Sequence, residues 1–333
     1  MSVRNLVLPL CALLAGAAGD PPPPAQLEPY IEDGSLVPGE YAWARGRFAD
    51  ASDQDRADSS AINLWATRCI EEARAQARAA LAAMGYPEAR LDTASVGPLL
   101  CHQVTFAPYL PEVRSYAEFV EQVRAAAPLA DAYLAAVEVA EEEAGPSGPG
   151  LAEQLLARRL GEQMVRHAVS WDRGRLAGKV PELSPAALTV VRARLFAAMA
   201  ARDRSNTEWL KGIVAEHGWP KISDVGEQAA SEAWLLVQHA DHDPVFQLEA
   251  LRLMEPLVAQ REVSPRDFAY LTDRVILKLT GKQRYGTQFH CVDGRFAPLP
   301  IEDEAAVERL RREAGMETLA ENTARISASY GAC

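Results

Sequence analysis

The segment QHADHD, residues 238–243, places two histidines and two aspartates within six consecutive positions. Side chains three or four positions apart share one face of a helix, so this cluster could bind a metal, transfer protons or cap a helix. The apolar run at 234–237 comes directly before it and predicts a buried helix. Polar groups at the end of a buried helix need hydrogen-bond partners, which a protein group or a ligand must supply.

His239 and Asp241 are the candidate catalytic pair of this segment. An imidazole titrates near neutral pH and acts as a general base when a carboxylate orients it. The alternative is a core histidine that is hydrogen-bonded to a neighbour. Asp243 precedes Pro244, the pattern of an N-cap residue at a helix start, so we assign it a structural role.

Asp273 and Arg274 lie inside a helix predicted to begin at Pro265, where a charged side chain must be paired. One interpretation is an ion pair between helices, for example from Arg274 to Asp241. The other is that the planar guanidinium of Arg274 binds a carboxylate or phosphate ligand.

Uncharged polar groups alternate with other residues in the segment that begins at Gln283. Hydroxyl and amide groups make directional hydrogen bonds, as the recognition of a substrate requires. The alternation predicts a strand, and a solvated hairpin edge is the competing interpretation. Together with Gln238 and Arg274, the candidate substrate-binding residues here are Gln283, Tyr285, Thr287 and Gln288.

A metal site is a minor alternative. The order His217, His242-Asp243, Asp273 matches the H…HD…D order of helical metal-dependent phosphohydrolases. However, His217 falls where a helix C-terminus favours histidine, and Asp243 is explained as a cap. We therefore assign no metal ligands, and the sequence names no cofactor.

The composition predicts a mainly α-helical protein. Alanine is abundant and aromatic residues make up 7% of the 333 residues, which favours helices over sheet. Helix starts at Ser184-Pro185, at the capping box Ser205–Glu208, at Asp243-Pro244 and at Ser264-Pro265 predict an antiparallel helical array. Asp293-Gly294 is a typical two-residue hairpin turn, so we expect one small β-hairpin over about 283–299.

Five regions follow from these patterns. They are a signal peptide at 1–19, an irregular Pro-rich segment at 20–59, a helical region at 60–144, a Gly/Pro linker at 145–150 and a helical domain at 151–333. The signal peptide has Arg4, an apolar run and a small-residue cleavage region. It predicts a periplasmic or secreted protein with no transmembrane anchor once the signal is removed.

The cysteine count fits export. Removing the signal leaves four cysteines, and we expect the disulfides Cys69–Cys101 and Cys291–Cys333, because each pair lies within one half of the chain. Two other pairings remain open, as do free buried thiols. The net charge of −12 argues against binding to nucleic acid.

Several short motifs in a fixed order resemble an uncharacterised bacterial domain family. They include Glu162-Gln163 with Arg166 and the runs GWP at 218–220, QHAD at 238–241, LTDR at 271–274 and QRYGTQ at 283–288. The resemblance covers about 151–326 and implies no activity.

The sequence thus supports two hypotheses for an exported protein with a polar pocket. One is an envelope hydrolase or transferase that uses His239 and Asp241 as an acid–base pair. The other is a module that only binds a small molecule or an envelope component. A sealed, fully hydrogen-bonded cluster would favour binding or a structural role.

Overall fold

Long amphipathic helices with clear start signals form most of the protein. The computed structural model describes residues 21–91, 95–145, 148, 150–169, 171, 181–331 and 333. The α-helices are α1 Asp53–Ala83, α2 Leu99–Thr105, α3 Tyr116–Glu143, α4 Leu151–Ala168, α5 Pro185–His217, α6 Ile222–Gln238, α7 Pro244–Ala259, α8 Pro265–Thr280, α9 Val307–Glu313 and α10 Leu319–Tyr330. The predicted signal peptide lies outside the described residues.

Among the residues that the structure describes, the strands are short and lie in two hairpins. β1 (Ile31–Glu32) pairs with β2 (Ser35–Leu36), and β3 (Phe289–Val292) pairs with β4 (Arg295–Pro298), both antiparallel. The β3–β4 register places Val292 opposite Arg295, so Asp293 and Gly294 form the turn. Two 3₁₀ helices, Glu28–Tyr30 and Ala42–Arg47, precede α1. The mainly α-helical fold with one C-terminal hairpin is confirmed.

Two large hydrophobic clusters form most of the interior that the structure describes. The N-terminal cluster joins residues before α1 to α1, α3, α4 and the first half of α5, with Phe119 and Leu195 at its centre. The C-terminal cluster joins the end of α1 to α6, α7 and α8, with Leu81 and Met254 fully buried. Both clusters contain residues from each side of 145–150, and the domain boundary expected there stays a prediction.

Two disulfides each join two separate elements of the fold. Cys69 of α1 is bonded to Cys101 of α2, and Cys291 of β3 is bonded to Cys333 beyond α10. Both pairings are those expected from the sequence, and free buried thiols are excluded for these four residues.

Three local predictions are wrong. α1 begins at Asp53, before the expected position 60, because Ser52 and Asp55 form a capping box in a polar stretch. Ser205 starts no helix, since α5 continues through it and the Thr207 hydroxyl bonds to the Asp203 carbonyl one turn earlier. The segment 283–288 is a loop instead of a strand, and β3 begins only at Phe289.

The shared clusters predict that the two sides of the linker stay together after cleavage. With a protease site inserted between Gly145 and Leu151, the cut protein should elute as one species, because each fragment buries apolar surface of the other. Size-exclusion chromatography before and after cleavage measures this, with the denatured digest as the control. Fragments that separate without denaturant would show two independent domains.

Candidate functional site

Helix α8 positions the polar residues that face one cleft. Arg274 and Lys278 are four positions apart and so lie on one face of the helix. Arg274 donates to Asp241 through Nε at 2.9 Å and Nη2 at 2.5 Å. Lys278 Nζ donates to Asp241 Oδ1 at 2.5 Å and to Gln247 Oε1 at 2.6 Å. The predicted ion pair between Arg274 and Asp241 is confirmed.

These contacts fix the charge state of Asp241. Burial opposes ionisation, but Lys278 and Arg274 outweigh it and hold the pKa of Asp241 well below its usual range. Burial also lowers the pKa of Lys278, although Asp241 opposes that shift. A carboxylate held ionised by two cations is a poor proton carrier.

The Arg274 cleft is the depression in front of this network. It encloses about 540 Å³ and is lined by Arg90, Ser95, Asp241, Arg274, Leu277, Lys278, Gly281, Gln288, Leu299 and Pro300. Gln288 Oε1 accepts from Arg274 Nη1 at 3.3 Å. The structure therefore brings three of the predicted residues to one cleft, namely Asp241, Arg274 and Gln288.

The other predicted residues of the 283–288 loop shape its backbone. Asp273 accepts hydrogen bonds from the backbone N–H groups of Arg284, Tyr285 and Thr287, at 2.7–2.8 Å. The side chain of Gln283 is fully buried and spans the loop: Nε2 donates to the Gln288 and Leu299 carbonyls, and Oε1 accepts from Gln288 N. Burial raises the pKa of the Asp273 carboxyl despite the three donors.

His239 lies in a second polar cluster, formed with α4 and α5. Its Nδ1 is 2.7 Å from Glu162 Oε1, although the two atoms do not meet hydrogen-bond geometry. Arg166 donates to Glu162 at 2.6 Å and to both oxygens of Asp203 at 2.8 and 3.0 Å. His239 and Asp241 therefore have different partners, and the expected acid–base pairing between them is not formed.

Burial and neighbouring charges shift the pKa values of the two carboxylates of this cluster in opposite directions. Burial alone would raise the pKa of Glu162, but its contact with His239 and the charge of Arg166 lower it to about 2. Burial raises the pKa of Asp203, and Arg166 only partly offsets that effect. Glu162, Asp203 and His239 offer ligand atoms within 4.8 Å of one another, but Arg166 already compensates the carboxylate charge there.

The four residues of the alternative metal pattern do not come together. His217 is exposed beside Glu216, and Asp243 accepts from Phe246 N as the N-cap of α7 and binds Lys211 at 2.9 Å. Asp273 is occupied by the backbone of the 283–288 loop.

Gln238 is buried, and its Oε1 has no hydrogen-bond partner among the described residues.

Sequence reasoning missed several residues of both clusters. Lys278 could have been found, because it follows Arg274 by one helical turn. Arg90 and Asp203 give no such signal, because Arg90 lies in the loop after α1 and Asp203 on α5, and only the packing of the chain brings each to its cluster.

Residues 181–333 match the family of unknown function DUF6624. The match includes α5 to α10 and leaves α4, with Glu162 and Arg166, outside it. It is consistent with the resemblance to an uncharacterised family and carries no activity. Searches of curated proteins and of solved structures found no match to this chain.

The lowered pKa of Glu162 predicts a specific pH dependence of stability. Replacing it in Glu162→Gln should reduce the free energy of unfolding at neutral pH by up to about 3 kcal/mol, the value of the shift from 4.5 to about 2. A folded-state pKa below the ordinary one stabilises the protein above pH 4.5, and this contribution is lost as the pH falls towards 2.

Chemical denaturation of wild type and variant across this pH range measures the difference between their free energies of unfolding. This difference should disappear as the medium becomes acidic. Glu216→Gln is the matched control, because that side chain is 74% exposed. A difference that stays constant with pH would show that the charge of Glu162 does not stabilise the fold.

Proposed function

We propose that the protein binds a small anionic ligand, carrying a carboxylate or phosphate group, in the Arg274 cleft. The observation that carries the proposal is the charge of this cleft. Arg90, Arg274 and Lys278 face one carboxylate, Asp241, in a protein of net charge −12. Such a local excess of positive charge attracts anions.

Unused hydrogen-bond donors support this proposal. A guanidinium has five N–H groups, and three donor contacts of Arg274 go to Asp241 and Gln288. An ammonium has three, and two contacts of Lys278 go to Asp241 and Gln247. Asp241 thus holds both cations in place while leaving N–H groups to bind the oxygens of a ligand.

Binding is favoured over catalysis by an envelope hydrolase or transferase. The catalytic hypothesis needs Asp241 to orient His239, whereas Asp241 is engaged by Arg274 and Lys278. His239 instead lies against Glu162 and is not among the residues that line the Arg274 cleft.

Titration with inorganic phosphate and with succinate tests the anion site. At constant ionic strength, one of them should raise the melting temperature of the wild type, because a ligand of the folded state stabilises it. Arg274→Gln and Lys278→Met should weaken binding by about tenfold or more, the usual effect of a lost charged hydrogen bond.

Calorimetry of the same variants measures the affinity directly. Arg309→Gln, which removes an exposed cation of α9, is the matched control and should bind like wild type. If neither anion binds, or if both cleft variants bind as well as wild type, the proposal is wrong.

We also infer that the protein is exported to the periplasm or beyond. Two disulfides form in oxidising compartments, and they support this location. Among the described residues, none of the helices has both the length and the apolar character needed to cross a bilayer. N-terminal sequencing of protein from the native host tests the inference: it should find a chain that starts near residues 18–21, and an intact Met1 would contradict it.

A further inference from the structure

A second depression, the aromatic cleft, lies between α6, α8, the β3–β4 hairpin and α10. It encloses about 610 Å³, and its walls include Trp234, Tyr270, Phe289, Phe296, Asn322 and Tyr330. The disulfide Cys291–Cys333 ties the hairpin to the end of the chain beyond α10, so it holds two of these walls together. A concave site of this volume, with aromatic rings and polar groups in its walls, is typical of small-ligand sites.

Two buried donors in these walls lack acceptors. Trp234 Nε1 and Asn322 Nδ2 have no hydrogen-bond partner among the described residues. Asn322 is only 1% exposed, and its Oδ1 already accepts from Arg325 at 2.5 Å. Buried donors are normally paired, so two orphans in the walls of one cleft call for an acceptor from outside the protein, which reaches these buried nitrogens when the side chains around them shift.

The charges of the cleft favour a neutral ligand. Arg266 and Asp267 have opposite charges, and Arg325 is paired with Glu317 at 2.8 Å. The ligand must therefore present uncharged acceptor oxygens, together with apolar faces that pack on aromatic rings. Sugar rings have both features, because hydroxyl oxygens surround their edges and C–H groups cover their faces.

We propose that the aromatic cleft binds a neutral oligosaccharide. Trp234 Nε1 and Asn322 Nδ2 donate to its oxygens, and the aromatic walls pack against its ring faces. The proposal is independent of the anion site, although Gln288 borders both clefts.

A neighbouring depression gives the ligand room for more than one sugar. It also encloses about 610 Å³, shares Trp234, Ser231, Arg266 and Asp267 with the aromatic cleft, and adds Trp219. Trp234 lies at the junction of the two depressions. A short chain of sugars therefore fits this surface better than a single ring does.

Isothermal titration with the tetramer of N-acetylglucosamine and with maltotetraose tests the proposal on the full oxidised chain. At least one of them should bind at millimolar concentration or below. Trp234→Phe keeps the aromatic ring and removes the N–H group, and Asn322→Asp keeps the oxygen that accepts from Arg325 and removes the NH₂ group. Each should weaken binding by about tenfold, whereas Arg309→Gln should not.

Thermal unfolding separates this effect from misfolding. Trp234→Phe should lower the melting temperature only slightly, because it shortens a ring that packs on the C-terminal cluster but removes an N–H group that has no partner among the described residues. Tetra-alanine is the peptide comparison and should not bind. Failure of both oligosaccharides to bind, binding of the peptide alone, or wild-type affinity in both cleft variants would each overturn the proposal.

Discussion

The carboxylate of Asp241 is the constraint on which the C-terminal part of the protein depends. It lies in the turn between α6 and α7 and accepts from two cations of α8, while Lys278 also reaches Gln247 of α7. Removing one member of this partly buried group leaves an uncompensated charge, which destabilises the fold. The same contacts that orient Arg274 and Lys278 towards the cleft keep Asp241 ionised. Stability and the proposed binding of an anion therefore depend on one group.

Helix α8 organises two sides of the site with neighbouring residues. Arg274 faces Asp241, and Asp273 accepts from the loop that carries Tyr285 and Thr287. This loop turns at Gly286, whose φ is +69° and whose missing Cβ would lie 2.8 Å from Leu319. Any other residue there would be strained and crowded. The loop conformation thus follows from one carboxylate and one glycine, together with the buried amide of Gln283.

The sequence predicted the class of fold because helix periodicity and cap residues are local signals. Ser184, Asp243 and Ser264 cap α5, α7 and α8 as expected. A predicted helix start is wrong where the polar residues of a capping pattern bond inside a continuing helix. Thr207 is the example, because its hydroxyl bonds to the backbone of α5. The polar alternation at 283–288 resembles that of a strand. The segment is a loop because its backbone bonds to the Asp273 carboxylate of α8, which the alternation does not reveal.

The sequence predicts a contact where two side chains of opposite charge lie on neighbouring helical segments. Arg274 and Asp241 are such a pair, and the structure joins them. The partner of His239 could not be deduced, because Glu162 is 77 positions away and reaches it only when α4 packs on α6. No pattern along one chain reports which of many carboxylates will be buried beside an imidazole.

The Glu162–Arg166–Asp203 network also selects among possible helix packings. α5 has many small apolar residues, and such a surface can slide along a neighbouring helix by one turn at little cost in buried area. Arg166 bonds to Asp203 of α5 as well as to Glu162 of its own helix. A shift of one turn, about 5.4 Å, would leave these charges unpaired inside the protein. The network therefore fixes the axial register of the two helices, which contacts between small apolar side chains do not determine.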